Sequence, residues 1–286
     1  MMPTSQASVL DTSRLAGDES ATLWRMPRHY GLECLSARFR RHRYAPHTHD
    51  TYVIGVIVAG CETFRCRGAR HYAGPGALTI VNPEEVHDGE PADGGYAYRM
   101  TYPDQALIRD IASEVMGRPV DLPVFDGPLF QDRALADAFV AAHRAVEDAG
   151  TSVLEADTRL IDVYAAIIGR YGRAGPCLAV GREPVAIRQV RDYLHDNMAA
   201  DIDLDDLAAV AGLTRYHLIR SFKAHLGLTP HAYLLDLRVR AARRLLCRGG
   251  DPAEVAASAG FYDQSHLNRA FKARVGVTPG RYRTRA

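Results

Sequence analysis

At 286 residues, with 47% hydrophobic and 24% charged residues, the chain has the composition of a soluble globular protein and is long enough for two domains with separate cores. No apolar run approaches the length needed to cross a bilayer, so no membrane partner is expected. The net charge of +1 conceals an asymmetry: residues 184–286 hold 16 basic and 10 acidic side chains, and the remainder holds 19 basic and 24 acidic ones. A basic C-terminal third joined to an acidic remainder is typical of a nucleic-acid-binding protein with a separate sensor domain.

The cysteines and the N-terminus bear on the cellular compartment. The five cysteines are odd in number and lack zinc-finger spacing, so we expect free thiols in a reducing cytoplasm. Residues 1–22 lack the charged-then-apolar pattern of a signal peptide and are expected to form a disordered lead-in. The sequence therefore predicts a cytoplasmic protein.

Short strands separated by glycine and proline characterise residues 23–103. The apolar run 52–58 is followed by Ala59-Gly60, and the run Ala77–Val81 is followed by Asn82-Pro83. Such runs, at this spacing between turn signals, predict a small antiparallel barrel or sandwich.

The apolar period changes to 3.6 in residues 104–172, which predicts three amphipathic helices. Residues 173–183, with glycines, a proline and charges, are expected to be a linker. The fold class expected for the whole chain is α+β, with a small β-barrel and the helices that follow it, and then an all-α domain. The three helical stripes are Leu107, Ile108, Ile111 and Val115; Leu135, Phe139, Ala142 and Val146; and Leu160, Val163, Ile167 and Tyr171.

Residues 184–286 contain a unit that occurs twice. The first copy extends from Leu207 to Pro230 and the second from Val255 to Pro279, with an offset of 48 residues before the turn and 49 after it. Self-similarity of this kind marks a duplicated structural unit. Each copy reads as a helix-turn-helix, and two such units on one chain could enter successive major grooves of a duplex.

Capping signals support both units. Asp251 is the predicted N-cap and Pro252 the first-turn proline of a helix. Glu254 is placed to complete a capping box by accepting the backbone N–H of Asp251. Gly227 and Gly276 stand where each recognition helix needs a left-handed C-terminal residue. A helix over about residues 230–247 is expected to separate the units as a rigid spacer. Its apolar stripe is Leu234, Leu237, Ala241 and Leu245, surrounded by Arg238, Arg240, Arg243, Arg244 and Arg248.

The recognition helices are expected to hide one apolar pair each, Leu218 with Phe222 and Leu267 with Phe271, and to turn the opposite side to DNA. Arginine suits this task because its guanidinium can bond guanine O6 and N7 together. Lys223 and Lys272, with Arg281 and Arg283, are assigned to phosphates. The candidate DNA-binding residues are Arg215, Tyr216, Ile219, Arg220, Lys223, Gln264, Ser265, Asn268, Arg269 and Lys272.

The segment 260–272, followed by Gly276-Val277-Thr278-Pro279, closely resembles the signature of AraC/XylS-type transcription regulators, and the resemblance extends over residues 187–283. It implies seven helices, two helix-turn-helix units joined by a linker helix, and binding to double-stranded promoter DNA that most often activates transcription, with RNA polymerase as a partner. Ile219 departs from the pattern, since a polar residue is common there.

The strand-rich domain resembles a cupin. Pro46-His47-Thr48-His49 followed by Gly60 is similar to the first cupin motif, and Gly74-Pro75-Gly76 leading to Pro83 and His87 is similar to the second. Residues two apart in a strand share a face, so His47 and His49 can meet His87 inside the sheet. Three imidazoles are a reasonable Zn²⁺, Ni²⁺ or Fe²⁺ site. Val53 stands where cupins usually place a glutamate. Glu62 is a candidate replacement ligand, although it could equally face solvent.

Three interpretations of the histidines remain open. They hold a metal, or they hydrogen-bond an organic effector together with Tyr52, or they serve a polar network of the fold. The pocket candidates Tyr44, Tyr98 and Arg99 could equally fill the core. The helices of residues 104–171 resemble the dimerisation segment of arabinose-type regulators, although their stripes could also be buried within one chain.

The leading hypothesis is a transcription regulator, rather than an enzyme, controlled by a small molecule or metal bound in the N-terminal domain and acting as a homodimer. The alternative is a cupin-type metalloenzyme, a dioxygenase or isomerase, with an accessory DNA-binding domain. An iron dioxygenase needs open coordination positions, which three histidines allow, but no separate general base is evident.

Overall fold

The strand-rich segment forms an eight-stranded sheet whose described pairings are antiparallel. The computed structural model describes residues 19–26, 29–148, 150–173 and 184–283, with only the backbone described at 93, 215 and 216. The strands are β1 (Ser20–Arg25), β2 (Glu33–Phe39), β3 (Tyr44–His47), β4 (Val53–Cys66), β5 (Ala69–Ala73), β6 (Ala77–Val81), β7 (His87–Tyr102), β8 (Val124–Phe125), β9 (Leu129–Gln131) and β10 (Gly172–Arg173).

The sheet has the order β1-β2-β7-β4-β6-β9, with β3 paired to β7 and β5 paired to β4, while β8 and β10 form a separate pair. Strand β4 pairs with three strands, β7, β6 and β5. Val53 is opposite Val81 of β6, and Glu62 is opposite Ala73 of β5. Gly60 has a φ of +68°, and a β-carbon there would collide with the backbone of Gly95 on β7. The close approach of the two long strands therefore requires glycine at this position.

Three helices follow the sheet as predicted: α1 (Gln105–Met116), α2 (Arg133–Glu147) and α3 (Val153–Tyr171). Asp104, Asp132 and Ser152 cap their N-termini with side-chain oxygens that accept backbone N–H bonds. The predicted stripes form one core with the sheet, where Ile108, Phe139 and Ile167 pack in the same cluster as sheet residues. The sheet's contribution to this core includes Tyr52, Ile54, Val56, Leu78 and Ile80.

Two expectations for this segment need correction. Val115 is 39% exposed rather than part of the buried α1 stripe. Strand β1 begins at Ser20, within the stretch expected to be a lead-in. The rest of that stretch, residues 1–18, lies outside the described residues, and so do residues 174–183 of the expected linker. Cys34, Cys61, Cys66 and Cys247 are free thiols, as expected, and Cys177 lies outside the described part.

Among the described residues of the C-terminal domain there are seven helices, the number that the resemblance implied. They are α4 (Val185–Asp196), α5 (Leu204–Ala211), α6 (Arg215–Leu226), α7 (Pro230–Cys247), α8 (Pro252–Ser258), α9 (Gln264–Val275) and α10 (Pro279–Arg283).

Helix α7 has the predicted bounds, but its polar side differs from the prediction. Arg240, one of the arginines predicted to lie around the apolar stripe, is only 6% exposed and lies in the interior with Asp236. Leu246 is fully buried, and Leu245 of the predicted stripe is half-buried. Leu234, Leu237 and Ala241 are buried as predicted.

The described chain divides into two compact units. One contains the described residues up to His42, His49–Glu85 and the described residues from Gly89 to 173. The other contains Arg43–Thr48, Val86–Asp88 and the described residues from 184 onward. Two short segments of the sheet-rich domain, 43–48 and 86–88, thus belong to the unit of the C-terminal helices. Within the described ranges, no helix has the length and apolar character required to cross a membrane.

Candidate nucleic-acid interface and histidine cluster

The first helix-turn-helix is built from α5, a turn at Gly212 and α6. A capping box between Asp203 and Asp206 starts α5, and Gly212 ends it in the left-handed conformation at φ +61°. Thr214 then caps α6 by accepting the backbone N–H of His217. Gly227 ends α6 at φ +75°, also as predicted.

Helix α6 is anchored by its two apolar residues. Leu218 and Phe222 are fully buried, and the Phe222 ring meets Tyr233 of α7 edge-on at 5.5 Å between centroids. Arg220 and Lys223 are exposed and Ile219 is half-buried, so the side opposite the anchors is open. Arg215 and Tyr216 occupy the first turn of α6, and their side chains lie outside the description.

The second helix-turn-helix pairs α8 with α9. Asp251 caps α8 and Pro252 takes its first position, as predicted. The Asp251 carboxylate accepts the backbone N–H of Ala253, which is not the reciprocal box expected with Glu254. Asp263 caps α9 through a 2.6 Å bond from the backbone N–H of His266, and Gly276 ends α9 at φ +80°.

Helix α9 repeats the arrangement of α6. Leu267 and Phe271 are fully buried, and Phe271 meets Tyr282 of α10 edge-on at 5.2 Å. The candidates on the other side are exposed or half-buried: Gln264, Ser265 and Arg269 are exposed, and Asn268 and Lys272 are half-buried.

The phosphate candidates of α10 are less open. Arg281 and Arg283 are both half-buried, and Arg283 makes a 3.3 Å ion pair with the Asp251 carboxylate at the start of α8. A partly exposed pair of this kind is worth little and can exchange its partner for a phosphate. The two helix-turn-helix copies therefore have matched second helices, α6 and α9, each with a buried apolar pair and accessible side chains on its opposite side. Binding in a major groove requires this arrangement.

The sequence did not predict a buried polar cluster in the compact unit that contains the C-terminal helices. Asp236 of α7 is 1% exposed, and its carboxylate lies 3.6 Å from Arg240 and 3.7 Å from Arg274 of α9. The hydroxyl of Thr48 donates a 2.6 Å hydrogen bond to Oδ2 of Asp236, the carboxylate oxygen that faces Arg240. Burial raises the pKa of Asp236, against the lowering effect of Arg240, Thr48 and Arg274. The spacing of Asp236 and Arg240, one helical turn apart beside an apolar stripe, was the available sequence signal.

The three predicted histidines come together in the structure. His47 ends β3, His87 begins β7, the strand with which β3 pairs, and His49 follows two residues after His47. One potential ligand atom from each ring lies within 4.8 Å of the other two. The rings of His47 and His87 have centroids 4.5 Å apart. Of the ligand candidates, these three alone form such a group among the described residues.

Backbone bonds hold the histidines in place. His47 Nδ1 lies 2.7 Å from the carbonyl oxygen of Ala45, and the backbone N–H of Glu84 donates a 2.8 Å bond to the carbonyl of His49. His47 and His49 are buried and His87 is half-buried. Burial holds the pKa of His47 well below its usual range, with further lowering by His87 and by the Arg274 and Arg243 guanidinium groups. The His47 imidazole is therefore neutral near pH 7, the form that ligates metal or accepts a hydrogen bond.

The remaining sensor candidates are not part of this group. Glu62 is buried in β4 opposite Ala73 and is not a member of the histidine group, contrary to its proposed role as a replacement ligand. Tyr52 is 1% exposed; its hydroxyl donates to the carbonyl of Pro123, which favours a packing role.

The weaker pocket candidates also have other contacts. Tyr98 stacks on Tyr96 in the sheet, and Arg99 donates to His143 and pairs with Glu147 of α2. The hydroxyl of Tyr44 lies 2.6 Å from the position that a β-carbon on Gly276 would take, beside the end of α9.

Comparison with known proteins gives separate family matches for the strand-rich part and for the C-terminal helical part of the chain. The family described as "AraC-like ligand binding domain" matches residues 29–163, and the family described as "Helix-turn-helix domain" matches residues 207–285. The chain is 28% identical over 251 residues to an uncharacterized HTH-type transcriptional regulator, YbfI, of Bacillus subtilis, covering 87% of this chain and 90% of that one.

Two further likenesses are more distant. The XylDLEGF operon transcriptional activator 3 of Pseudomonas putida is 23% identical over 238 residues, covering 76% of this chain and 68% of that one. A crystal structure of an apo form of ToxT from Vibrio cholerae superposes with a TM-score of 0.55 at 11% identity, covering 94% of this chain and 98% of that one, which shows a common fold. The chain has a ligand-binding domain and a helix-turn-helix domain, and it belongs to the AraC/XylS family of transcription regulators.

Proposed function

We propose that this regulator binds a specific promoter sequence with α6 and α9 in two successive major grooves. The observation that carries the proposal is the repeated arrangement of the two helices. Each hides its apolar pair completely, and each leaves polar or charged side chains on the opposite side. A helix with a buried apolar side and an accessible polar side can be inserted into a groove without loss of its own packing.

The contacts divide into two kinds. Arg220 of α6 and Arg269 of α9 occupy matching exposed positions and are suited to base edges, with Gln264, Ser265 and Asn268. Arg215, Tyr216 and Ile219 complete the proposed interface of α6. Lys223 and Lys272 stand one turn further along each helix and are suited to phosphates, which add affinity without sequence choice.

An effector bound in the N-terminal domain is proposed to control DNA binding. The match of residues 29–163 to a ligand-binding family supports the place of the effector, and the histidine group supplies polar atoms for it. Activation through RNA polymerase is proposed on the family resemblance and on the name of the Pseudomonas relative. A cytoplasmic location is proposed because the described cysteines are free thiols.

Homodimerisation is also proposed, but not through the predicted helical stripes, since those, apart from Val115, pack into the core of the chain. At the start of α3, Val153 is 53% exposed and Leu154 is 77% exposed, and these apolar side chains are available to a second copy. Sedimentation velocity should give the mass of a dimer for the purified protein, and a Leu154→Glu variant should shift it toward the monomer.

Selection of binding sites from a random DNA library tests the main proposal. The wild type should enrich one sequence with two half-sites about one helical turn, ~10 bp, apart. Absence of any enriched sequence would contradict sequence-specific DNA binding by α6 and α9. The histidine group also favours a second candidate, a metalloenzyme activity of the cupin type. Oxygen-consumption assays with iron-loaded protein and candidate organic substrates test it, and sustained turnover would support it over a regulator without catalysis.

A further inference from the structure

We propose that Arg238 and Gly260 form a joint that fixes the separation of the two recognition helices, and with it the half-site spacing that the protein accepts on DNA. The joint connects the loop between α4 and α5, residues 197–203, to the turn between α8 and α9. All of its residues belong to one compact unit. The effect on spacing rests on the proposed DNA-binding function, whereas the joint itself does not.

Helix α7 is the common support of the two helix-turn-helix copies. It packs against α4 and α6 beside the first copy and against α8 and α9 of the second. Packing against one shared helix leaves each copy able to rock about that helix by small sliding motions. A direct contact between the two sides removes this freedom, and the joint supplies such a contact.

Arg238 of α7 makes the first half of the joint. Its Nε donates a 2.7 Å hydrogen bond to the carbonyl oxygen of Met198, and its Nη2 donates a 2.8 Å bond to that of Ala200. The planar guanidinium fork holds both oxygens at once, which suits arginine better than lysine. The loop is thus attached to α7 shortly before Asp203, the residue that caps α5.

Gly260, in the turn before α9, makes the second half. Its φ is +80°, in the left-handed region. A β-carbon there would lie 2.7 Å from the Cα of Ala199 and 2.9 Å from both the Nε of Arg238 and the carbonyl oxygen of Met198. These separations leave no room for a side chain, so the backbone of the turn lies directly against the loop and the guanidinium.

The equivalent glycine of the first copy makes no such contact. Gly212 stands 48 residues before Gly260 and ends α5 at φ +61°. Apart from its chain neighbours, no described atom lies within 4 Å of the position that its β-carbon would take. Both turns therefore use a left-handed glycine, but the turn before α9 also needs glycine for its close approach to the loop.

The turn is held firmly to α9. The backbone N–H of Phe261 donates a 2.9 Å bond to the carbonyl of Ala256 in α8, and its ring meets that of His266 edge-on at 5.3 Å between centroids. Phe261 is only 5% exposed, which shields these contacts from water. A displacement of Gly260 therefore moves the start of α9. On the other side of the joint, the loop leads into α5, which packs against α6.

DNA converts a fixed separation of α6 and α9 into a spacing preference. One inserted base pair lengthens the span by about 3.4 Å and rotates the second half-site by about 35°. With the joint closed, the two helices follow that change only by breaking the Arg238 bonds or by displacing the turn at Gly260. The intact protein should therefore accept one spacing, and a protein with an opened joint should accept several.

The first experiment tests the joint without DNA, by a double-mutant cycle in urea. Arg238→Met removes both carbonyl bonds and Gly260→Ala forces the turn away from the loop, so each change opens the same contact. The double variant should lower the urea midpoint by less than the sum of the two single shifts. Arg238→Met combined with Gly212→Ala, which has the same backbone strain without the collision, should lower it by the full sum. Full addition in both pairs overturns the joint.

The second experiment measures spacing by fluorescence anisotropy, on the selected DNA site and on copies with one base pair added or removed between the half-sites. The wild type should bind the original spacing about tenfold more tightly than either altered one. Gly260→Ala, and Arg238→Lys, which keeps the charge but lacks the fork, should reduce this ratio to about threefold or less. Gly212→Ala and Arg248→Met, an exposed arginine at the end of α7, should keep the wild-type ratio.

The outcomes separate the joint from the proposed function. Unchanged ratios in Gly260→Ala and Arg238→Lys, with both variants folded by circular dichroism, overturn the effect on spacing and leave the DNA-binding proposal intact. If the wild type binds no selected sequence, the proposed function fails, while the urea cycle still decides whether the joint exists.

Discussion

The hydroxyl of Thr48 donates a 2.6 Å hydrogen bond to the carboxylate of Asp236, 188 residues later in the chain. Asp236 is the acidic member of a buried cluster with Arg240 and Arg274, each less than a tenth exposed. Two buried guanidinium groups thus lie beside one buried carboxylate, whose negative charge compensates them.

Asp236→Asn should therefore destabilise the protein strongly. Removing one partner of a buried ion pair leaves the other charge uncompensated, which costs about 3–5 kcal/mol. Urea denaturation followed by circular dichroism measures the change in the free energy of unfolding. Asp192→Asn is the matched control, because Asp192 forms an exposed pair with Arg191 and should change stability by less than about 0.5 kcal/mol. Similar losses of unfolding free energy in the two variants would show that the buried cluster contributes no more to stability than an exposed ion pair does.

The two kinds of DNA contact can be separated by substitution. Arg220→Ala should weaken binding to the selected site by about 1–3 kcal/mol and relax the preference at one base position. Lys272→Ala should weaken binding to all sequences alike and reduce the salt dependence by about one unit of slope. Anisotropy titrations on specific and random duplexes at several salt concentrations measure both. If each variant loses the same affinity for the two duplexes, the division into base and phosphate contacts is wrong.

His143 predicts a pH dependence of stability. The ring is 1% exposed; its Nδ1 accepts a 2.8 Å bond from Arg99, and its Nε2 lies 3.1 Å from the carbonyl of Met100. Burial first, and then the Arg99 charge, lower the pKa of His143 to about 3. In the unfolded chain His143 is protonated as the pH falls below about 6.5, whereas in the folded chain it stays neutral down to about pH 3. The contribution of His143 to the free energy of unfolding is therefore complete above pH 6.5 and is lost as the pH falls toward 3.

Between pH 6.5 and pH 5 the loss from this residue should be about 1.5–2 kcal/mol. Denaturation curves of the wild type and of His143→Gln over that range measure it. The variant is less stable at neutral pH but should show a flatter dependence, because it has no group to protonate at this position. An unchanged slope in the variant would mean that other groups cause the pH dependence.

The sequence predicts best where the physical signal is local. The bounds of α7, the cap at Asp251, and the left-handed Gly227 and Gly276 follow from residue type and spacing within one or two turns. The anchors of α6 and α9 follow from a four-residue period, which the structure confirms.

The remaining features depend on residues that are distant in the sequence. The sequence places Arg240 beside an apolar stripe, but its burial with Asp236, which also faces Arg274 of α9, is visible only in the structure. Tyr52 looks like a pocket residue until its hydroxyl is found on the carbonyl of Pro123, 71 positions away. Periodicity reports which side of a helix or strand is apolar, but it does not report which polar groups meet inside, because those pairings are set by tertiary packing.

The central claim, that α6 and α9 both read DNA, is tested most directly by hydroxyl-radical footprinting on the selected site. The wild type should protect two tracts on one face of the duplex, about 10 bp apart. Arg220→Ala should weaken protection in one tract, and Arg269→Ala in the other. A single protected tract, or the same tract altered by both variants, would contradict the claim.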